Sequence, residues 1–384
     1  MPRSTTDVRV TLAVYYASHF GHLGMVLPFL PPWLLSLGLA PASIGFLLAL
    51  VPLSKLAAPW IWGGLADRSG RRRGLLVVST AAAAVAFYAL GGQRNLAALV
   101  VVMGVYAVCF APGIPFIEAT ALEQAEARRF AYGKTRLWGS LAFAAVSAAY
   151  GIVADHLTTS VFFPMGAAVL AFGAVAAFFL PASHRAGEHE VRAPGADLGA
   201  TAPSEPRFGT IRLLLACALM QASHGAYYTF YSIHLDELGY SSTAVGLFWA
   251  FAVVCEVLLL MRIDGVVDRL GTGATLRISL VAAAVRWVVI GSVSDPLWLG
   301  LAQSLHALTY AAFHVAALRE VYRRFGAANR TKGQTIYSGA TYGLGFFVGT
   351  LGAGILAELI GLGDLYRVSA VVALAGLVVM GTTR

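Results

Sequence analysis

Five formally charged side chains and one histidine stand in stretches of this sequence that are otherwise apolar: Lys55, Glu118, Arg136, Glu256, Arg286 and His306. Lys55 is the sharpest case. It sits in LALVPLSKLAAPW (48–60), flanked by uncharged residues as far as Leu23 and Ala66, and it is one of three lysines against twenty-four arginines. Acids, cations and an imidazole are the residue types that hold ionic ligands and exchange protons. No nucleophile–base pair, HExxH or CxxC accompanies them, and GKT at 133–135 lacks the upstream glycine of a phosphate loop. Cys109, Cys217 and Cys255 show neither a disulfide framework nor metal-ligand spacing and read as small buried hydrophobes. The chemistry to expect is non-covalent, with no enzyme activity, cofactor or metal.

The elements that position these groups are membrane-spanning. Of 384 residues 58% are hydrophobic and 12% charged, about half the charged share of soluble domains. The apolar residues fall in blocks of about 20, enough to cross a ~30 Å hydrocarbon layer as helix. Twelve can be counted: 9–35, 43–64, 74–92, 96–118, 136–155, 160–181, 209–233, 243–262, 274–293, 296–318, 334–358 and 365–382. None alternates as barrel strands do, so the fold class is an all-α polytopic membrane protein. A charge at mid-bilayer costs ~2.5–3.5 kcal/mol, and five unpaired charges would cost on the order of 12–18 kcal/mol. They must meet partners or face a watery cavity.

The net charge of +8 has a pattern. Basic residues gather in alternate loops (Arg68, Arg71, Arg72 and Arg73; Arg128, Arg129 and Lys134; Arg323, Arg324, Arg330 and Lys332), while the intervening loops hold Arg94 with Asp236, Glu237, Asp295 and Asp364. This positive-inside arrangement predicts an integral membrane protein with both termini cytoplasmic; the expected location is a bacterial inner membrane. The basic balance reports topology, so lipid is the expected surroundings and no nucleic acid the partner. The first span, with His19 and His22, lacks a convincing cleavage site and reads as a retained helix.

Residues 182–208 are polar, with three prolines, and read as a cytoplasmic linker between six-span halves at 1–181 and 209–384. The halves overlay: SLGLAPASIG (36–45) on ELGYSSTAVG (237–246), and GLADRSG (64–70) on GVVDRLG (265–271), both at an offset of 201. That offset carries Lys55 to Glu256, an intramembrane cation to an intramembrane anion. ASH at 17–19 matches ASH at 222–224, which pairs His19 with His224 as candidate polar groups of a cavity.

GGLADRSGRRRG (63–74) resembles the signature loop between helices 2 and 3 of the major facilitator superfamily, matched by Gly63, Leu65, Asp67, Arg68, Gly70, Arg71 and Arg72. Asp268 and Arg269 repeat its core in the second half. The resemblance implies two pseudo-symmetric six-helix bundles, with the motif as a gating latch. Glu118 precedes Arg136 by 18 residues and Arg286 precedes His306 by 20. Both intervals are similar to those of lactose permease and its proton-symporting relatives, where the first pair binds substrate and the second belongs to the proton machinery. The chain departs from them at Thr309, where they carry an acid, and at Phe143, where they carry tryptophan. YGKTRLWGSLAF (132–143), QASHGAYYTFYS (221–232), VGLFWAFAVVCEV (245–257) and RWVVIG (286–291) look more like phenylpropionate-type permeases. There a cation at the position of Lys55, an acid at Glu118 and the Glu256 site recur.

The resemblance implies proton-coupled uptake of a small aromatic carboxylate by alternating access. Lys55, Glu118, Arg136, Phe143, Tyr228 and Tyr337 are the expected substrate contacts. Glu256, Arg286 and His306 are the expected proton-coupling group, Glu256 as carrier because burial among apolar neighbours favours the neutral acid. In this fold spans 5 and 8 adjoin, so Arg136 is expected to be shared between Glu118 and Glu256. Three cations against two acids leave +1, which a monocarboxylate would neutralise. The rivals on the same scaffold are a sugar, oligosaccharide or nucleoside symporter and a drug exporter; an intramembrane enzyme or sensor has no supporting constellation. A small molecule and protons are the expected partners of a monomer.

Overall fold

The computed structural model describes residues 5–128, 130–181, 207–326 and 329–381, and among them every regular element is helical. In chain order these are α1 (Thr5–Ser36), α2 (Pro41–Ala58), α3 (Gly64–Ser69), α4 (Arg72–Leu90), α5 (Leu96–Phe110), α6 (Gly113–Arg128), α7 (Tyr132–His156) and α8 (Phe162–Phe178). Then come α9 (Arg207–Ser223), α10 (Gly225–Glu237), α11 (Ser242–Leu260), α12 (Ile263–Leu270), α13 (Thr272–Ile290), α14 (Pro296–Ser304), α15 (Phe313–Phe325), α16 (Arg330–Ser338) and α17 (Phe346–Met380). Apart from residues 207 and 208, the expected linker lies outside the described residues.

Eight stretches of helix are long and apolar enough to cross a bilayer on their own. Other expected spans are assembled from pieces: α9 and α10 meet at a turn at His224, and α14 and α15 are joined through π-helical turns at Ala307–Ala312. Two further π-helical turns, Pro59–Gly63 and Gly339–Gly345, follow α2 and α16. Such turns insert a residue into the helical ladder and recur at functional sites. The last two spans run together in α17 and are separated at Gly361, whose φ of 76° only glycine adopts readily.

The chain forms two compact units. The first contains α1 up to Trp33, α2 from Ser54, α3–α8, and Ser241–Ala250. The second contains Leu34–Leu53, α9, α10, and the chain from Phe251 onward. The core of the first is built on Leu12, Tyr15, Tyr16, Leu76 and Ile117, joined by an aromatic cluster of Phe87, Tyr106, Phe162 and Phe163. In the second, α17 packs on α9, α10 and α13. Gly345 and Gly349 of the GFFVG stretch let backbones meet: an added Cβ would lie 2.5 Å from the Ala218 carbonyl oxygen and 2.3 Å from that of Ala222. Val85, Val101, Phe172, Leu359, Val371 and Val378 are exposed, the outer surface of a protein whose solvent is lipid.

One crossing occurs in each unit, and the sequence repeat relates the two. On α7, Ser147, Gly151 and Asp155 meet the first turns of α11. Ser147 donates to the Gly246 carbonyl at 3.2 Å, and the Asp155 carboxylate accepts from the Ser242 and Thr243 amides at 2.8 and 2.9 Å. On α17, Gly354 lies against Gly45 of α2, and Glu358 accepts from the Ala42 amide at 3.3 Å. Carboxylates thus cap helix N-termini whose amides have no intrahelical partner. These crossings place the start of α11 in the first unit and the start of α2 in the second.

Candidate functional site

In the first unit Lys55 occupies the last turn of α2, one turn before the π-helical segment, and its side chain is exposed. His19 is buried and stacks face to face on Phe110, with centroids 4.3 Å apart and planes 9° apart. The close fit depends on Gly113, where a Cβ would lie 2.7 Å from the imidazole. Glu118 on α6 and Arg136 on α7 form an ion pair at 3.0 Å, about one-third exposed, with the guanidinium over the Phe20 ring. Phe143 is buried against the Gly24 backbone and near Trp249. His22 is satisfied within the unit, by the Gly166 carbonyl at 3.0 Å and the Tyr106 hydroxyl at 2.8 Å.

The second unit holds a buried polar network. Arg286 on α13 is fully buried and donates to the Gln303 side-chain oxygen at 2.7 Å, to His306 Nδ1 at 3.1 Å and to Thr309 at 3.4 Å. The ring faces of Tyr227 and Trp287 lie 4.2 and 4.7 Å from its guanidinium carbon, so cation–π attraction adds to the hydrogen bonds. Tyr227 donates to the same Gln303 oxygen at 3.3 Å. His306 Nε2 lies 3.5 Å from the Glu256 carboxylate. His224, fully buried, donates from Nδ1 to the Met220 carbonyl at 2.8 Å and is 3.3 Å from Thr309 through Nε2.

This geometry fixes the state of His306. A guanidinium has donors and no acceptor, so Nδ1 facing Arg286 must carry the lone pair, and the ring hydrogen is on Nε2, directed at Glu256. A second proton on His306 would set an N–H against the N–H of Arg286. The Glu256 carboxylate is 15% exposed against 6% for His306. The arrangement is a relay of contacts, guanidinium to imidazole to carboxylate.

An aromatic cluster continues from the network. Tyr310 stacks on His306 with centroids 5.4 Å apart, and Tyr342 lies next along. His314 Nδ1 is 3.2 Å from the Tyr337 hydroxyl and 2.9 Å from that of Tyr342. Tyr228 packs edge-on against Phe346. Tyr310 and Tyr342 lie in the two π-helical segments of this unit.

At the helix ends the signature loop turns at Gly70, whose φ of 62° is left-handed. Arg72 pairs with Glu123 at 2.6 Å, while Asp67 and Arg68 are exposed and Asp67 makes no ion pair among the described residues. The repeat-related Asp268 pairs with Arg319 at 2.6 Å, and Asp264 joins them; Arg269 is exposed.

Of the expected site residues, the structure brings Glu118 to Arg136 and brings Glu256, Arg286, His306 and His224 into one network; Arg136 is paired with Glu118, and Glu256 with His306. Sequence reasoning passed over Gln303, the acceptor that orients Arg286, although an amide one turn before His306 in an apolar run was a visible signal.

The chain matches the MFS_1 like family over residues 9–368. It is 31% identical over 369 residues to the probable 3-phenylpropionic acid transporter of Escherichia coli (strain K12), covering 94% of each chain. It is 27% identical to the maltose permease of Geobacillus stearothermophilus over 97% of this chain and 93% of the permease. Among solved structures, a mutant of the nucleoside transporter NupG superposes with a TM-score of 0.86 at 16% identity, covering 97% of this chain and 98% of that one.

Proposed function

Because the chain belongs to the MFS_1 like family of major facilitator transporters and is an integral membrane protein and secondary transporter, we propose that it couples proton entry to uptake of a small aromatic carboxylate of the phenylpropionate type. The observation that carries the coupling is the Glu256–His306–Arg286 relay. With Glu256 ionised, the buried guanidinium has its counter-charge. With Glu256 protonated, Arg286 is left to the dipoles of Gln303 and Thr309 and to two ring faces, and a buried cation in that condition costs several kcal/mol. A substrate carboxylate restores the balance, so proton and anion load together and an unaccompanied proton does not.

The substrate class rests on the similarity to the phenylpropionic acid transporter of Escherichia coli and on residue types suited to an aryl acid. Lys55 supplies the exposed cation for the carboxylate, a point charge on a flexible stem. Tyr228, Tyr337 and Phe143 supply aromatic contact. Glu118 and Arg136 neutralise each other and set the polarity of the first unit near its substrate-facing surface. The halves 1–181 and 209–384 rock about the loaded substrate, both termini are cytoplasmic, the transporter acts as a monomer, and the loops carrying Gly63–Arg72 and Asp268–Arg269 latch the alternating states.

The test is uptake of radiolabelled 3-phenylpropionate into proteoliposomes under an imposed inward proton gradient. Accumulation that collapses with a protonophore, is competed by aryl acids and is indifferent to maltose and nucleosides supports the reading. Gradient-driven accumulation of a sugar or nucleoside, with no uptake of acids, would replace it.

A further inference from the structure

The aromatic cluster of the second unit carries more polar equipment than a hydrocarbon ring needs. Tyr228 on α10, Tyr310 and Tyr342 in the two π-helical segments, and Phe346 at the start of α17 are each partly buried. Tyr228 meets Phe346 edge-on with centroids 5.2 Å apart, Tyr310 meets Tyr342 at 6.4 Å, and Tyr310 stacks on His306. Leu344 and Val348 follow Tyr342 by two and six residues, which puts them on the opposite side of that span. They are aliphatic and 53% exposed, the surface toward lipid. The tyrosines therefore form a separate, inner wall, and both π-helical segments, a feature that recurs at functional sites, contribute a ring to it.

The polar end of this wall is a triad. His314 Nδ1 is 2.9 Å from the Tyr342 hydroxyl and 3.2 Å from that of Tyr337, and the two tyrosine rings meet edge-on at 5.9 Å. A phenol oxygen donates once and accepts twice, while an imidazole nitrogen does one or the other. If Nδ1 carries the lone pair, the hydroxyl hydrogens turn inward and the phenol oxygens keep lone pairs that call for a donor. If Nδ1 carries the hydrogen, at least one hydroxyl hydrogen calls for an acceptor. A hydroxyl on a ligand both donates and accepts, so it completes the triad in either tautomer. A bare aryl ring completes neither, and polar groups left short of partners at this depth are costly.

We propose that the second unit recognises an aryl acid bearing a phenolic hydroxyl, with the ring against Tyr310 and Tyr342 and the hydroxyl on the triad of His314, Tyr337 and Tyr342. This narrows the substrate class of the aryl-carboxylate transporter proposed above, and it rests on that reading. A site built to bond a hydroxyl rejects the analogue lacking one, because its own polar groups are then left unpaired. The purified full-length protein is titrated calorimetrically with 3-phenylpropionate, with its meta- and para-hydroxylated derivatives, and with the matching fluorinated ones, which approximate the hydroxyl in size and cannot donate. At least one hydroxylated acid is expected to bind about tenfold more tightly than the unsubstituted and fluorinated acids, the factor one hydrogen bond supplies. His314→Phe and Tyr342→Phe should each bring that ratio close to one, whereas Tyr88→Phe, at an exposed position on α4 of the first unit, should keep it. Tyr342→Phe removes a single oxygen and keeps the ring, so it reports even where the histidine variant does not fold. Equal affinities for hydroxylated and unsubstituted acids would overturn the proposal and leave aryl-acid transport standing, whereas binding of no aryl acid would overturn both. A preference that persists in both variants would overturn the assignment to the triad.

Discussion

Gln303→Leu tests the network at its least exposed point. Gln303 is fully buried, and its oxygen accepts from Arg286 at 2.7 Å and from Tyr227 at 3.3 Å. A bond from a charged donor is worth ~1.5–3 kcal/mol and a neutral one ~1 kcal/mol. Interhelical hydrogen bonds in membranes average nearer ~0.6 kcal/mol, because the unfolded chain in lipid also finds partners. Here the donor is a guanidinium with no exposed surface, so no water takes the place of the lost acceptor, and the larger figure governs. Leucine keeps the volume and removes the acceptor, which leaves a destabilisation of about 3 kcal/mol. Gln303→Glu separates stability from coupling: it keeps the acceptor and gives Arg286 a permanent counter-charge, so the fold holds while protonation of Glu256 no longer controls the guanidinium. Thermal unfolding followed by tryptophan fluorescence, with proteoliposome uptake with and without a pH gradient, reads both. Wild-type melting and uptake in Gln303→Leu, or full gradient-driven accumulation in Gln303→Glu, would refute this reasoning.

Lys55→Met should abolish binding of aryl acids in isothermal titration while leaving the melting temperature unchanged, because the amine is exposed and its loss removes no buried partner; wild-type affinity would remove Lys55 from the substrate site. Gly246→Ala puts a Cβ 2.3 Å from the Ser147 carbonyl oxygen, so α7 and α11 must part by ~1 Å at a cost of ~1–3 kcal/mol. Faster hydrogen exchange at the Ser242 and Thr243 amides is the expected sign, with Gly265→Ala, which meets nothing within 4 Å, as the neutral control. Glu320 lies beyond the expected end of its span; burial works to raise its carboxyl, but hydrogen bonds from Arg323 and Arg324 and their charges outweigh this and hold it at about 2. A depressed carboxyl stabilises fully above its ordinary value of 4.5 and less as pH falls toward 2, an effect of up to ~3 kcal/mol. The difference in melting temperature between wild type and Glu320→Gln should therefore shrink between pH 5 and pH 3, measured in acid-tolerant detergent, and a constant difference would contradict the assignment.

The fold was legible because a bilayer writes its constraints in blocks of apolar sequence, and because GGLADRSGRRRG and its echo GVVDRLG mark equivalent turns. Side-chain contact across short separations was legible too: Glu118 and Arg136 bracket one loop, as Arg286 and His306 bracket another. The breaks were not. Nothing in ALTYAA or GATYGLG distinguishes a π-helical turn from an α-helical one, since the distinction lies in which carbonyl each amide finds once neighbours are packed. The capped crossings escaped notice for a related reason. Asp155 and Glu358 close two of the expected spans and show no capping role until the structure sets them against helix N-termini, and glycines at 45, 246 and 354 gain meaning only from the backbone opposite. Spacing grouped His306 with Arg286, but that Arg286 donates to Nδ1 of the ring is visible only in the structure.

The most direct test of the relay is Glu256→Gln in proteoliposomes. A glutamine keeps the shape of the protonated acid and cannot release a proton, so the account predicts unimpaired counterflow exchange of labelled 3-phenylpropionate and no accumulation under an inward proton gradient. Accumulation at the wild-type level in that variant would contradict the account.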